Sequence, residues 1–480
     1  MTVSAQDEYR SPLVTRYAGR EMRRLFSERH RIETWRRLWI GLAESQRELG
    51  LPISAEQIEA MHKSATVIDF DKAAEYEARF RHDVMAHVHA FGDVAPEARG
   101  VIHLGATSCF VTDNADAIVL REALEHIERG LAEAIAALRG FADRTKAIPC
   151  LAYTHFQPAQ PTTCGKRATL WIQDLLEDLK AVARMQRGVP FLSSKGTTGT
   201  QASFLTLFEG DAEKCEQLDE LTAKKAGFLK PLPVSGQTYP RKADYTILSV
   251  LGGVGVSATR FANDVRLLSG LREMAEPFEK EQIGSSAMAY KQNPMRSERI
   301  TALARHLMAL VPEAASTASA QWLERTLDDS AARRIYLPEA FLAADAILRL
   351  VINVARGLHV NEAVARQRLM KELPFMATEE ILMQAVKAGG DRQALHEHIR
   401  KHSLAAKDKI VQGAERNDLI DRLRGDDAFA VVHDQLDSML EPDRFTGLSE
   451  RQTTRFLAEH VDTALEPYLE GLGGDVDIRV

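Results

Sequence analysis

The sequence predicts an all-α fold of three domains, in which the central domain is a bundle of long helices. At 480 residues the chain is long enough for roughly three domains of about 150 residues each. Aromatic residues make up only 6% of the chain while Ala, Leu, Glu and Arg are abundant, and this balance favours helix over sheet. Apolar residues in the middle of the chain also recur in steps of three and four, which is the period of a helix.

Residues 1–107 are predicted to form an N-terminal domain of short helices. Trp35, Leu38 and Trp39 fall on one face of a helical pattern, so both tryptophans are expected in the core. Ser54 follows a Leu-Pro-Ile segment and is the expected N-cap of the next helix.

Residues 108–360 carry the longest helical seams, at 120–138, 172–182 and 247–268, and are predicted to form the central domain. Three glycines between positions 252 and 255 predict a close approach of a neighbouring backbone, because each costs a helix about 1 kcal/mol relative to alanine. Helices of roughly 30 residues are about 45 Å long. The sequence therefore predicts that subunits associate along these helices, with a monomeric helical array as the alternative.

Residues 361–480 are predicted to form a smaller helical C-terminal domain. Pro374, Gly389 and Gly390 punctuate short helices there, and the stretch 396–402 has a charged face. No low-complexity linker separates the three regions, so they are expected to pack as one rigid unit.

Composition excludes several classes of protein. The formal net charge of −7 argues against a nucleic-acid-binding protein, which usually has a basic domain. The stretch MTVSAQDEYRSPL lacks an apolar core of signal-peptide length, and the sequence has no run of about 18 apolar residues, so a cytoplasmic protein that does not contact a membrane is expected. The cysteines have no CxxC spacing and fit a reduced cytosolic protein; they are Cys109, Cys150, Cys164 and Cys215.

A polar loop at 282–295 lies within the stretch EQIGSSAMAYKQNPMRSER. A glycine and small residues around Ser285 favour a mobile loop, while Lys291 and Asn293 supply a cation and an amide. Pro294 stands where a helix could begin. This pattern predicts a lid that brings a nucleophile or base onto a bound anion, and an ordinary surface turn is the alternative.

Two polar stretches come before the central seams. Arg81, His82 and Asp83 open the stretch RHDVMAHVH, whose three histidines suggest a metal site. Their spacing is not HExxH and no cysteine or carboxylate cluster completes a ligand set, so structural or solvent-facing histidines are expected. In HLGATSCFVTDN, Thr107 and Ser108 are candidate caps of the following helix. A helix N-terminus with exposed hydroxyls also suits a carboxylate, and both interpretations can hold together.

Three further segments carry polar groups. His155 lies in THFQPAQ; a lone histidine near proline is more often structural, although histidine is the usual proton carrier near neutral pH. The stretch 195–203, KGTTGTQAS, lacks the residue order of a phosphate-binding loop and is expected to support the wall of a site. Gln237 supplies a side-chain amide in a turn.

These motifs carry a resemblance to a known family. The loop resembles the GSSxMPxKxNP signature of the fumarase/aspartase superfamily, and the longer match through MRSERI and ARHLM is similar to the adenylosuccinate lyase family in its long, animal-like form. The resemblance runs from RSPLVTRYA at Arg10 to FTGLSERQ near the C-terminus. The chain departs from the signature at Ala289, where the superfamily has proline, which removes a restraint on the loop.

The resemblance implies an activity, and therefore roles for individual residues. It implies β-elimination of fumarate from adenylosuccinate, giving AMP, and from succinylaminoimidazole carboxamide ribotide, giving AICAR. His155 is then the general acid and Ser285 the general base, with Lys291 and Asn293 holding the carboxylate that gathers charge. The choice of Ser285 over Ser286 rests on the register of the family. The implied substrate-binding residues are Arg16, Tyr17, Arg81, His82, Asp83, Thr107, Ser108, Thr154, Gln237, Arg299, Arg325, Ser330 and Arg334.

The resemblance also implies a homotetramer, whose core is formed by the central bundle and whose active sites combine segments from three subunits. It implies no metal and no organic cofactor. Other members of the superfamily and an inactive helical scaffold are the alternatives. Arginines suit a phosphorylated substrate, because the planar guanidinium makes paired, charge-assisted hydrogen bonds, whereas fumarate and aspartate carry no phosphate.

Overall fold

A computed structural model describes residues 7–474 and residue 478 of the chain, and its architecture is mainly helical. The N-terminal part consists of short helices around one longer helix, α2. A π-helical turn at Leu13–Tyr17 precedes them and a 3₁₀ turn at Pro96–Ala98 follows. The helices are α1 (Arg20–Leu25), α2 (Glu28–Glu48), α3 (Ala55–Lys63), α4 (Phe70–Phe80) and α5 (Asp83–Val94).

Local signals in this part act as the sequence predicts. The Ser54 hydroxyl accepts the N–H of Gln57, and the Gln57 side chain accepts the N–H of Ser54, which together form a capping box at the start of α3. Trp35 and Trp39 are almost completely buried. Both the cap and the core position of the tryptophans are confirmed.

The middle of the chain forms a bundle of long helices, as predicted. The apolar seams of α6, α7 and α10 face its interior and are buried. The helices are α6 (Ser108–Thr145), α7 (Cys164–Arg187), α8 (Ala202–Leu207), α9 (Ala212–Lys225), α10 (Lys242–Gly270), α11 (Met295–Ser319) and α12 (Asp328–Gly357).

Glycines of α10 allow the predicted close approach. A Cβ atom on Gly255 would lie 3.4 Å from the carbonyl oxygen of Ala304 on α11, and one on Gly252 would lie 3.0 Å from a methyl group of Val311. The two helices therefore pack with their backbones closer together than larger side chains permit.

Two short antiparallel ribbons correct the all-α prediction. The first pairs β1 (Pro149–Thr154) with β2 (Gln157–Thr163), and the second pairs β3 (Met274–Ala275) with β4 (His359–Val360). The prolines of QPAQP in β2 supply no backbone N–H and oppose a helix, so the segment between α6 and α7 pairs as an extended ribbon instead. These strands are too short to show a clear alternation in the sequence.

The C-terminal part contains a second core. Apolar side chains of α14 to α16 and of the 3₁₀ segment at Asp427–Gln435 pack together apart from the main core, whereas Leu457, Val461 and Leu465 join the main core. The boundaries of the three domains stay predictions. The helices are α13 (Glu362–Met376), α14 (Thr378–Lys387), α15 (Arg392–Val411), α16 (Leu419–Arg424), α17 (Ser449–Phe456) and α18 (Asp462–Leu465).

Short turns complete this part of the chain. Three 3₁₀ segments lie at Ser438–Leu440, Pro442–Phe445 and Glu466–Gly471, and a π-helical turn lies at Leu457–Val461. No helix within the described residues combines the length and the apolar character needed to cross a membrane.

Candidate active site

Four helices begin at one cavity of about 670 Å³. Residues of the first turns of α2, α5, α6 and α12 line it, so several N-terminal backbone N–H groups and four positive helix-dipole ends lie near the same space. Such an arrangement favours anions. The predicted site residues that line this cavity are Arg81, His82, Asp83, Ser108, Gln237, Arg325, Ser330 and Arg334.

Thr107 occupies the predicted N-cap position of α6, but its side chain makes no capping hydrogen bond. Ser108 instead bonds across the cavity wall, because its Oγ lies 3.2 Å from Nε2 of His82. The other ring nitrogen of His82, Nδ1, accepts the N–H of Met85 at 3.3 Å and caps α5. A neutral ring in this position carries its proton on Nε2 and donates it to Ser108, which leaves the hydroxyl hydrogen of Ser108 free for a ligand.

The other two histidines of RHDVMAHVH have structural surroundings. His87 packs edge-on against Trp35, and burial lowers its pKa to about 4. His89 lies against the ring of Phe80, with 4.8 Å between ring centroids. Within the part of the chain that the structure describes, these histidines are in no cluster of potential metal ligands.

A buried network of ion pairs forms part of the cavity wall. Arg241 forms a paired contact with Asp113, at 2.8 and 3.1 Å, and its Nε donates to Asp329 at 2.6 Å. Burial alone would lower the pKa of Arg241, but the Asp113 carboxylate raises it above the ordinary value. Asp329 also accepts a hydrogen bond of 2.8 Å from Arg325, and this contact orients the arginine toward the cavity.

Arg333 extends the network on the next turn of α12. Its Nε donates to Asp244 at 2.7 Å, and a second nitrogen lies 2.9 Å from Asp116 and donates to the hydroxyl of Tyr239. The Tyr239 hydroxyl in turn donates to Asp244 at 2.7 Å, and burial raises the pKa of Tyr239 well above its ordinary range. Apart from Arg325, no residue of this network is among those predicted from the sequence. The available signal was the occurrence of charged residues on otherwise apolar helix faces.

Gln237 is held by the segment that was expected to support a wall of the site. Its amide nitrogen donates to the carbonyl oxygen of Thr197 at 3.0 Å, and its amide oxygen accepts from the Cys109 thiol at 3.4 Å. Gly199, at a φ of +81°, lets the segment 195–203 pack against the loop leading to Gln237, since a Cβ there would lie 1.9 Å from the carbonyl oxygen of Ser235. The segment therefore fixes the direction of the Gln237 amide.

His155 occupies the tip of the first ribbon and does not line the cavity. His155 and Phe156 form a two-residue turn with φ angles of 54° and 57°, in the left-handed region that non-glycine residues rarely adopt. Below the tip, the hydroxyl of Tyr153 donates to the buried Glu273 at 2.9 Å and ties the ribbon to the helical body. The His155 imidazole therefore lies at the tip of a ribbon that the Tyr153–Glu273 hydrogen bond holds in place.

The loop 282–295 orders its polar groups around Ser285. The Ser285 hydroxyl oxygen accepts the backbone N–H groups of Ala287 at 3.3 Å and Met288 at 3.1 Å. Asn293 donates to the carbonyl oxygen of Gly284 at 3.0 Å, which closes the base of the loop. Pro294 stands at the N-cap of α11, so the predicted helix start is confirmed.

Lys291 is exposed, and its ammonium makes no hydrogen bond or ion pair with any residue that the structure describes. The N–H of Lys291 closes a turn on the carbonyl oxygen of Met288 at 3.0 Å. Ala289 is the second residue of this turn, a position that proline favours. The departure from the family signature therefore falls at a turn position that accepts proline.

One chain does not bring all the predicted site residues together. Arg16 is exposed in the N-terminal π-helical turn, and Arg299 lies in α11 with a buried Nη1 that lacks a partner among the described residues. The predicted residues outside the lining of the cavity are Arg16, Tyr17, Thr107, Thr154, His155, Ser285, Lys291, Asn293 and Arg299.

Comparisons with known proteins match almost the full chain. A family model described as "Lyase" matches residues 40–309, and one described as "Adenylosuccinate lyase C-terminus" matches residues 374–456. Adenylosuccinate lyase of Saccharomyces cerevisiae is 50% identical over 472 residues, covering 98% of this chain and 98% of the yeast protein. Adenylosuccinate lyase of Schistosoma mansoni is 48% identical over 476 residues, covering 99% of each chain. Both are eukaryotic proteins of nearly equal length, and the predicted resemblance to the long form is confirmed.

A solved structure shares the fold. The crystal structure of 3-carboxy-cis,cis-muconate lactonizing enzyme from Pseudomonas putida superposes with a TM-score of 0.80 and covers 95% of this chain and 99% of its own. At 22% sequence identity this likeness concerns the fold alone, and it confirms a mainly helical, fumarase/aspartase-like architecture.

Proposed function

This chain belongs to the adenylosuccinate lyases of the fumarase/aspartase superfamily, and we propose that it releases fumarate from two succinylated substrates of purine nucleotide biosynthesis. Adenylosuccinate gives AMP, and succinylaminoimidazole carboxamide ribotide gives AICAR. The observation that carries the proposal is the match to adenylosuccinate lyases along the whole chain. The cavity supports it, because both substrates are anions that carry a phosphate and two carboxylates.

Binding of these substrates draws on the cavity. The planar guanidinium groups of Arg325 and Arg334 form paired, charge-assisted hydrogen bonds with phosphate or carboxylate oxygens. Further anionic oxygens receive hydrogen bonds from the hydroxyls of Ser108 and Ser330. The N-termini of the helices that carry these serines also favour negative charge. Gln237 supplies an oriented amide for the polar edge of the substrate.

Ser285 acts as the general base in the proposed reaction. It removes a proton from the carbon next to a carboxylate of the succinyl group. Serine is a weak base in water, so its alkoxide must be stabilised, and the two N–H groups that already point at its oxygen provide this in a closed, water-poor site. Lys291 and Asn293 hold the carboxylate on which negative charge then gathers.

His155 acts as the general acid. As the electron pair of the carbanion forms the double bond of fumarate, the C–N bond breaks and His155 gives a proton to the departing nitrogen. The turn at the tip of the β1–β2 ribbon keeps the His155 imidazole at the outer end of the ribbon. From there, in the proposed assembly, it reaches the site of another subunit. The proposed reaction uses side chains and backbone N–H groups of the protein, with no metal or organic cofactor.

The complete site is assembled from three copies of the chain in a homotetramer. One copy supplies the cavity, a second the ribbon with His155 and a third the loop with Ser285. Two features support this arrangement. The catalytic groups stand apart from the cavity in one chain. Large apolar side chains are also exposed on the outward faces of long bundle helices, at Val256, Leu267 and Ile335.

The experiment is to add adenylosuccinate to the purified protein, follow the ultraviolet absorbance and measure fumarate alongside. We expect AMP and fumarate in equal amounts. If there is no conversion, argininosuccinate and the unphosphorylated acids are tried next, and conversion of one of them assigns the chain to another reaction of the superfamily. Inactivity toward all of them favours a scaffold protein.

A further inference from the structure

Two histidines and a carboxylate converge in the C-terminal part of the chain, away from the candidate site. His398 and His402 lie four residues apart on α15, so their side chains share one face of the helix. Asp426 caps the 3₁₀ segment at Asp427–Gln435, which packs beside α15. Among the described residues, this is the only group of three or more histidine, cysteine or acidic side chains whose donor atoms all lie within 4.8 Å of one another.

Both imidazole rings face the same carboxylate oxygen. His398 Nδ1 lies 2.7 Å from Asp426 Oδ2, and His402 Nε2 lies 2.8 Å from it. The other oxygen, Oδ1, accepts the backbone N–H of Ala428 at 3.0 Å. The carboxylate is therefore fixed in orientation by the helical turn that it caps, and Oδ2 is directed at the two rings. Such a supporting hydrogen bond is typical of the carboxylates that ligate metal ions.

We propose that His398, His402 and Asp426 form a binding site for a divalent transition-metal ion such as Zn²⁺. Two imidazole nitrogens and one carboxylate oxygen are a donor set that Zn²⁺ accepts, with water at the remaining position. Ligand atoms around a tetrahedral ion with bonds of about 2 Å are roughly 3.3 Å apart. To admit the ion, each ring nitrogen would have to move away from the Asp426 oxygen by about half an ångström. The two ring nitrogens, which lie within 4.8 Å of each other, would have to adopt the same separation.

The surroundings of the three residues fit an ion that is partly open to solvent. The exposed fractions of the side chains are 45% for His398, 26% for His402 and 16% for Asp426, so water reaches the site and completes the coordination. The three residues do not line the candidate active-site cavity. The ion would connect α15 to the segment that follows α16 and thereby stabilise the C-terminal core.

The test is a calorimetric titration of Zn²⁺ into full-length protein that carries no histidine tag and has been stripped of metal with EDTA. We expect one strong site per chain, and a melting temperature that rises when Zn²⁺ is added. His402→Ala and Asp426→Asn should each weaken this site at least about tenfold, because each removes a ligand. Mg²⁺ should not compete, since it prefers oxygen ligands in an octahedral arrangement.

His396→Ala is the matched control, because His396 lies on the same helix outside the cluster. It should leave the strong site unchanged. Circular dichroism establishes that each variant is folded before titration. The proposal is wrong if Zn²⁺ binding is absent from the wild-type chain, or if binding persists in Asp426→Asn and His402→Ala alike. The three residues would then be an ion-pair cluster only.

Discussion

Ser285 and Ser286 have identical side chains, but their hydroxyls have different surroundings in the loop 282–295. The Ser285 oxygen accepts two backbone N–H groups, whereas Ser286 is exposed and takes part in no hydrogen bond with the described residues. Only the first serine is thus prepared to carry a negative charge. We expect Ser285→Ala to lower kcat by about 10²- to 10⁴-fold, the usual range for loss of a general base, with little change in KM. Steady-state fumarate release from adenylosuccinate measures both constants.

Ser286→Ala is the control for this assignment, since it removes an identical hydroxyl one residue away. Its kcat should stay within a few-fold of the wild-type value. If Ser286→Ala rather than Ser285→Ala stops turnover, the register of the loop is wrong by one residue.

The carboxyl group of Asp178 should affect the free energy of unfolding, although Asp178 does not line the candidate active-site cavity. It lies on α7 facing α10, and its Oδ2 has no hydrogen-bond partner among the described residues. Burial raises the pKa of Asp178 to about 6. The folded state therefore binds the proton more tightly than the unfolded state. This contribution to stability is complete below the unfolded pKa, near 4, and is lost as the pH rises through 6.

Asp178→Asn should consequently stabilise the protein at pH 7 by on the order of 2 kcal/mol, because the amide carries no charge to bury. The gain should shrink toward zero at pH 4. Melting temperatures of both proteins at the two pH values test this. Asp174→Asn is the control on the same helix: Asp174 forms a half-exposed ion pair with Arg260 and is a lesser cause of the raised pKa of Asp178, so its loss should change stability much less than Asp178→Asn at pH 7. A gain for Asp178→Asn that is equal at pH 4 and pH 7 would contradict the explanation.

At the scale of the element, the loop 282–295 offers a direct test of the one departure from the family signature. Ala289 occupies the second position of the turn closed by Lys291, and its N–H makes no hydrogen bond with the described residues. Proline fits such a position and reduces the freedom of the unfolded loop, worth about 0.4–1 kcal/mol. We expect Ala289→Pro to slow tryptic cleavage within the loop by roughly twofold to fivefold while the enzyme stays active.

Met288→Pro is the matched control for Ala289→Pro. It places the same ring one residue earlier, where it removes the N–H that Ser285 accepts. This variant should be cleaved faster and should lose activity. Similar behaviour of the two variants would show that the turn does not form as observed.

Helices were predictable from the sequence where the spacing of their apolar residues repeats over many turns. The seams of α6, α7 and α10 repeat over many turns, so the period was visible without any knowledge of the partner helices. The β1–β2 ribbon was missed because its strands are six and seven residues long and rich in proline. Its identity as a strand pair depends on cross-strand pairing, which sequence periodicity does not report.

The candidate site was predictable only in part, for a similar reason. Residues in distinctive polar stretches, such as His82 and Ser108, could be singled out locally. The pairing of Asp113 with Arg241 joins residues 128 positions apart, and although Asp113 lies in the stretch HLGATSCFVTDN, nothing in that stretch indicates its partner. A buried ion pair of this kind is defined by the fold that brings its members together, so the sequence alone could not indicate it.

At the scale of the whole molecule, the proposed chemistry is divided among distant parts of the chain. Ser108 and Arg325 line the cavity, whereas His155 stands on the ribbon and Ser285 on the loop. Under the proposed mechanism all of these groups act on one substrate, and we propose that they come from different copies of the chain. A closed symmetric assembly would bring them together, because each interface would then supply the same residues to every site.

Complementation between variants tests this division. His155→Ala and Ser285→Ala should each be nearly inactive alone. When the two are mixed, unfolded and refolded together, about a quarter of the sites in randomly mixed tetramers should receive an intact ribbon from one chain and an intact loop from another. Fumarate release should recover to roughly that fraction of the wild-type rate. His155→Ala mixed with the double variant is the control, because no chain there supplies an intact ribbon, and it should stay inactive. If mass spectrometry shows mixed tetramers of the two single variants and they are still inactive, His155 and Ser285 act within the same chain.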